Sequence, residues 1–107
     1  MTTQEVAAMI ASVGLPYAYN HFDEPQNLPF ICFLYPDNDN FVADNVNYIR
    51  VTALSIELYT NDADFDLEAA VEAVLTANEL PFTKAQEYIE GERMYQTTFD
   101  TEVILYG

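Results

Sequence analysis

Positive charge is nearly absent from this chain. Of its 107 residues only three are Lys or Arg, whereas 18 are Asp or Glu, so the formal net charge is −15 at pH 7. Binding to duplex DNA or RNA draws much of its affinity from basic side chains that neutralise phosphates. Arg50, Lys84 and Arg93 cannot form a basic stripe, which argues against direct nucleic-acid binding. Such acidity instead favours solubility, basic protein partners, or a wall that DNA passes without adhering.

Cysteine, glycine and long hydrophobic runs are also scarce. The single Cys32 cannot form an internal disulfide, which fits a reducing compartment. Three separated glycines cannot build a glycine-rich phosphate loop. No apolar run approaches the roughly 20 residues that cross a membrane, and the first residues lack the basic region of a secretion signal. We therefore expect one soluble domain, residues 1–107, made in the cytoplasm.

The longest run of β-branched and aromatic residues is the stretch Val46–Tyr59. It predicts a long strand. Its apolar residues occupy odd positions from Ile49 to Ala53 and even positions from Leu54 to Leu58. A regular strand keeps one face apolar, because its side chains alternate with a period of two. The switch predicts either a bulge or a strand whose two ends cover different surfaces, one of them on a neighbouring subunit.

Helical patterns lie on both sides of this strand. The apolar spacing predicts a helix over residues 3–13, with a capping box from Thr2 and Glu5. A second helix is predicted over Leu67–Asn78, with Asp66 as its N-cap. We expect Glu68 and Glu72 to lie on the outer side of this second helix.

Four further segments have strand-like patterns and complete the predicted fold. A Gly-containing turn joins the last two, which is a hairpin signal. The fold class is therefore predicted to be α+β, an antiparallel sheet with two helices packed on it, in the order α-β-β-β-α-β-β. The four predicted strands are Tyr17–Phe22, Phe30–Tyr35, Phe82–Ile89 and Arg93–Tyr106.

The polar loop 36–45 contains one apolar pair, Phe41 and Val42. An exposed apolar pair in a loop of Asp and Asn either folds back onto the core or docks into a partner. Aromatic residues on such loops are effective interface anchors.

Candidate metal and catalytic residues have weak support. Alternating aspartates near Asp37 and Asp62 resemble the first half of a calcium loop, but neither segment has the required Gly at position six or Glu at position twelve. Cys32 and the single histidine, His21, lack a third orienting motif, and a thiol within an apolar run is most often a small buried hydrophobe. We therefore predict no catalytic residue, no metal site and no cofactor, and expect that the protein is not an enzyme.

Several segments together resemble the small tail-completion, or tail-terminator, proteins of long-tailed bacteriophages and prophages. The resemblance covers nearly the whole chain and lies in patterns of small structural proteins. It does not separate a terminator from the adaptor and stopper proteins of the same head–tail joint. The segments are GLPYAYNHF, PFICFLYPDNDNFVADN, IELYTND, YIEGERMYQTTF and VILYG.

The resemblance implies a virion protein at the head–tail joint, assembled in the host cytoplasm. Such subunits form a ring, usually a hexamer, that ends polymerisation of the tail tube protein and meets the head connector or stopper protein, while DNA passes through the lumen without specific binding. No membrane partner is implied. The residue patterns place the ring contact at the start of the long strand and the loop before it. The interface residues we predict are Asp37, Asp39, Phe41, Val42, Asp44, Tyr48, Ile49 and Val51.

A different class of function also fits the composition. A compact acidic protein of this size can act as a binding module, or as a DNA mimic that inhibits a nucleic-acid-binding enzyme by presenting carboxylates in place of phosphates. That function requires carboxylates concentrated on one face. The acidic residues here are spread over loops, turns and helix surfaces, which favours the structural role.

Overall fold

The structure is a computed structural model that describes residues 1–36, 41–42 and 49–106. It confirms the α+β class and the predicted order of elements, with one additional two-residue strand in the loop before the long strand. The elements are α1 (Thr3–Ala11), β1 (Tyr17–Tyr19), β2 (Phe30–Leu34), β3 (Phe41–Val42), β4 (Ile49–Thr60), α2 (Phe65–Ala77), β5 (Phe82–Ile89) and β6 (Met94–Tyr106).

The strands form one sheet in the order β1-β2-β4-β6-β5, and β3 pairs with the start of β4. All pairs are antiparallel except β1 with β2, which is parallel, so the expectation of a purely antiparallel sheet is wrong at this edge. The reason is the length of the connection. Residues 20–29 form a crossover, whereas antiparallel neighbours are commonly joined by tight turns of two to five residues.

The long strand contains no bulge along β4. Its pairing with β6 is unbroken from Ile49 opposite Tyr106 to Thr60 opposite Tyr95. The bulge alternative is therefore wrong for the described strand. Its side chains alternate regularly, so the exposed Val51 lies on one face of the sheet and the buried Leu54 and Ile56 lie on the other. Contact of one end with a neighbouring subunit stays a prediction. The predicted residues 46–48 lie outside the described part of the chain.

Both helices cover one face of the sheet. Even-numbered residues of β4 and odd-numbered residues of β2 and β6 point towards the helices, which is the expected alternation. The opposite face, which we call the open face, carries no helix among the described residues. The buried core consists of Val6, Met9, Ile10, Ile31, Phe33, Leu54, Ile56, Leu58, Val71, Leu75, Phe99 and Val103.

The first helix begins where its sequence predicts, but it ends at Ala11, two residues before the predicted end. The Thr2 hydroxyl accepts from the Glu5 backbone N–H at 3.1 Å, and the Glu5 carboxylate accepts from the Thr2 backbone N–H at 2.8 Å. These two bonds satisfy donors that the first helical turn leaves free. Gly14 follows in the left-handed region at φ +93°, where a side chain would be strained.

The second helix differs from its prediction in two respects. Its N-cap is Asp64, whose carboxylate accepts from the Leu67 backbone N–H at 3.1 Å, so Asp66 is not the cap but part of the first helical turn. Glu68 is not on the outer side, since only 3% of it is exposed. The two errors have separate causes. The helix starts two residues earlier than predicted, which moves the N-cap to Asp64, and Glu68 lies over Lys84 and Gln86 of β5, which buries it.

Candidate assembly surface

A cluster of large apolar side chains lies exposed at one end of the open face. Val51 is 52% exposed, Ile104 is 51% exposed and Tyr106 is 58% exposed. Val51 and Ile104 are directly opposed in the β4–β6 pair, and Tyr106 follows two residues after Ile104 on the same face. We call these three residues the open-face patch. Contiguous exposed apolar residues of this kind typically mark an interaction surface.

Sequence reasoning found Val51 but missed Ile104 and Tyr106. A signal for them was available in the alternation of β6. Its even positions are polar from Gln96 to Glu102, which identifies the solvent side of the strand. Ile104 and Tyr106 continue those even positions as apolar residues, so they break the polar pattern on the exposed side.

The structure brings together part of the predicted interface. Phe41 pairs with Val51, and Val42 pairs with Arg50, so β3 runs beside the strand that carries the patch. Ile49 pairs with Tyr106 at the same end of the sheet. The remaining predicted residues lie outside the described residues, namely Asp37, Asp39, Asp44 and Tyr48.

An open groove adjoins the patch. It has a volume of about 550 Å³ and extends from Val51 and Ile104 to the beginning of β5. It forms where β6 continues past Phe82, the first residue of β5, which pairs with Thr101. The groove is mainly apolar but also has Asp100 and Glu102 in its lining, and it shares Val51 and Ile104 with the patch.

Four acidic side chains also lie on the open face. Asp100, Glu102 and Glu87 are exposed there. Glu57 is half-buried: one carboxylate oxygen accepts from the Tyr59 hydroxyl at 3.0 Å, and the other accepts from the Gln96 amide at 3.3 Å. Burial, and then the nearby Glu57 carboxylate, raise the pKa of Tyr59 well above its ordinary value, so this phenol donates as a neutral group.

The helix-covered side has a different electrostatic arrangement. Lys84 of β5 lies 2.7 Å from the Glu68 carboxylate and 2.9 Å from that of Glu72. The Gln86 amide donates to Glu68 at 2.9 Å and lies 2.8 Å from the Thr97 hydroxyl. Hydrogen bonds to Glu68 and then Glu72 raise the pKa of Lys84. A buried carboxylate needs such partners, because an unpaired buried charge is strongly destabilising.

Cys32 and His21 lie in different surroundings. Cys32 is buried on the open face, opposite Glu57, and burial followed by the Glu57 charge raises the pKa of its thiol. His21 is exposed in the loop after β1, with its Nε2 3.4 Å from Asp23. A raised thiol pKa disfavours the thiolate, which is the nucleophilic form.

The aspartates before α2 act at the helix terminus, where Asp64 is the cap. Among the described residues, no group of three His, Cys, Asp or Glu side chains is placed to hold a metal ion. Within the same residues, no helix is long and apolar enough to cross a membrane.

Comparisons with known proteins show a likeness of fold. No family model matches the chain, and no curated protein matches it. A chain in the solved structure of the virion of a native gene transfer agent particle is similar to it, with a TM-score of 0.56 and 18% sequence identity. The match covers 98% of this chain and 89% of that chain. The two chains therefore share a fold over nearly their whole lengths.

Proposed function

We propose that this protein is a structural subunit of a phage-like virion and not an enzyme. In this role it is the tail-terminator or tail-completion protein, forming a hexameric ring at the head-proximal end of the tail tube. The ring ends tube polymerisation and joins the tube protein to the head connector or stopper. It is assembled in the bacterial cytoplasm and carries DNA through its lumen without specific contacts.

The fold likeness to a chain of a virion carries this proposal. That likeness extends over 98% of this chain and 89% of the other, so it concerns the whole subunit rather than one common motif. It agrees with the resemblance of the sequence to tail-terminator proteins. An adaptor or stopper subunit of the same joint is the neighbouring alternative within this class.

The open-face patch supports a contact between copies. One of its three large apolar residues, Val51, pairs with Phe41 of β3, in the region where the sequence predicts the ring contact. Homo-oligomers that close into rings use two different surfaces of each subunit, so one exposed apolar region can meet another part of the next copy. The carboxylates on the remaining open face suit a surface that repels DNA phosphates.

The test combines solution mass with negative-stain imaging, for the free protein and for the protein mixed with isolated tail tubes. We expect rings with a central hole, either in solution or only on tube ends. Ile104→Asp places a charge in the patch and should abolish ring formation and tube capping. The matched control is Phe65→Asp, which adds the same charge at a residue that is 73% exposed at the start of α2.

Two outcomes would overturn the proposal. One is a strict monomer at every concentration that also fails to cap isolated tubes. The other is equal loss of capping in Ile104→Asp and Phe65→Asp, which would reflect added charge and not the patch. A strict monomer that inhibits a DNA-binding enzyme would favour the acidic-inhibitor function instead.

A further inference from the structure

The outer edge of β5 is a long unpaired strand edge. β5 has eight residues, Phe82–Ile89, and pairs with β6 along its entire length. In the part of the chain that the structure describes, no strand pairs with its other edge. Such an edge presents a row of free backbone N–H and C=O groups, which can bind another strand.

The backbone contacts of Met1 indicate which groups face outwards. Its amino group donates to the Ile104 carbonyl, and its carbonyl accepts from the Tyr106 N–H. Because β4 pairs with the other edge of β6, the backbone groups of even-numbered β6 residues point away from β4 and towards β5. Neighbouring residues in an antiparallel strand point their backbone groups to opposite edges. The register with β6 then leaves the backbone groups of Lys84, Gln86 and Tyr88 on the free edge.

The usual protections of an edge strand are missing. Proteins commonly block such edges with a proline, a bulge or an outward lysine. β5 contains no proline, and its register with β6 is unbroken. Its one lysine, Lys84, is drawn onto α2 by Glu68 and Glu72. The same contacts hold β5 against α2, so this edge is already ordered and, among the described strands, has no partner.

The charges around this edge select the chemistry of a partner. Glu87 lies on β5 itself, and Glu90 and Glu92 are exposed in the turn that follows. Asp100 lies beside β5 on the open face, opposite Thr83. With Lys84 engaged by two carboxylates, the surroundings remain negative. A second copy would bring the same carboxylates to this edge, so a basic segment is the more favourable occupant here.

We propose that the free edge of β5 binds an extended basic segment of a partner protein by strand addition. Backbone hydrogen bonds from Lys84, Gln86 and Tyr88 hold the added strand, and its Lys or Arg side chains meet Glu87 and Asp100 on the open face. This inference does not depend on the ring proposal. It concerns the free subunit and is tested on the free subunit.

The probe is a synthetic peptide of about eight residues that alternates Lys and Val, a length and pattern suited to strand addition. It is compared with a peptide of the same pattern in which Glu replaces Lys. Hydrogen exchange of individual amides is followed by NMR. At saturating peptide, the Lys peptide should slow exchange of the Lys84, Gln86 and Tyr88 amides by about tenfold or more, and the Glu peptide should have no effect.

The matched variants are Tyr88→Pro and Tyr88→Ala. Both remove the ring, which is 48% exposed, but only proline removes the N–H on the free edge. An edge position tolerates proline, so both variants should have similar melting temperatures. Peptide binding should weaken about tenfold in Tyr88→Pro relative to Tyr88→Ala, since one strand-to-strand hydrogen bond and its geometry are lost.

Three results would overturn the proposal. In the first, the Lys peptide binds Tyr88→Pro as tightly as Tyr88→Ala. In the second, it shifts the NMR signals of residues on the acidic open face without slowing exchange of the β5 amides. In the third, exchange of these amides slows with rising protein concentration and no peptide, which would identify a second copy as the occupant.

Discussion

The two faces of the sheet carry different kinds of side chain, although the same strands form both. On the helix-covered face, β4 and β6 contribute Leu54, Leu58, Phe99 and other fully buried residues. On the open face, the same strands carry the exposed open-face patch at one end and several carboxylates among other polar side chains. The covered face holds most of the buried core, whereas the large apolar residues of the open-face patch stay exposed.

The largest expected effect lies in the core of the covered face. Phe99→Ala should lower the free energy of unfolding by about 3–5 kcal/mol, because this fully buried ring leaves a cavity when removed. Ile104→Ala on the open face should change it by only about 0.5 kcal/mol. Chemical denaturation measures both. Similar losses in the two variants would mean that the open face also stabilises the monomer.

The next effect comes from the polar contact between α2 and β5. Lys84→Met should lower the free energy of unfolding by about 2 kcal/mol, because Glu68 stays buried and loses its cation. Lys84→Arg is the control and should lose less, since it keeps the charge. If Lys84→Met were as stable as the unsubstituted protein, the ion pair of Lys84 with Glu68 would contribute to the specificity of the fold and not to its stability.

The same contact predicts a dependence on alkaline pH. The folded-state pKa of Lys84 is raised above its ordinary value of 10.5, so its stabilisation is complete below that value and is lost as pH rises through the folded pKa. The stability difference between the unsubstituted protein and Lys84→Met should therefore shrink above about pH 10.5. Denaturation curves between neutral and alkaline pH test this. A constant difference over that range would contradict it.

A smaller effect separates two neighbouring aspartates at the start of α2. Asp64→Ala should cost about 1 kcal/mol because it removes the cap of the Leu67 N–H. Asp66→Ala should cost only about 0.3 kcal/mol, through its favourable position near the helix dipole. Thermal unfolding of both variants measures the difference. The reverse order would restore Asp66 as the N-cap.

The smallest expected effect is that of salt concentration on ring assembly. Six copies would carry a formal charge of roughly −90, so repulsion opposes ring formation and salt screens it. Ring formation should strengthen from low to moderate salt. Weaker assembly over that range in dilution experiments would mean that charge repulsion is not the controlling factor.

Much of the local structure was predictable because it depends on neighbouring residues. The capping box of Thr2 and Glu5, the turn at Gly14 and the bounds of β5 all follow from short-range patterns. The parallel pairing of β1 and the burial of Glu68 were not predictable in this way. Each depends on residues more than ten positions away, Ile31 for Tyr17 and Lys84 for Glu68.

The amino-acid sequence by itself determined the fold class, the order of elements and the acidity, since periodicity and composition express these directly. Only the tertiary structure decided which surfaces remain free. The phase switch in β4 indicated two surfaces, but the β4–β6 register placed Val51 beside Ile104 and Tyr106. Among the described strands, none pairs with the outer edge of β5. Strand pairing sets both outcomes, and it brings together residues that are far apart in the chain, such as Val51 and Ile104.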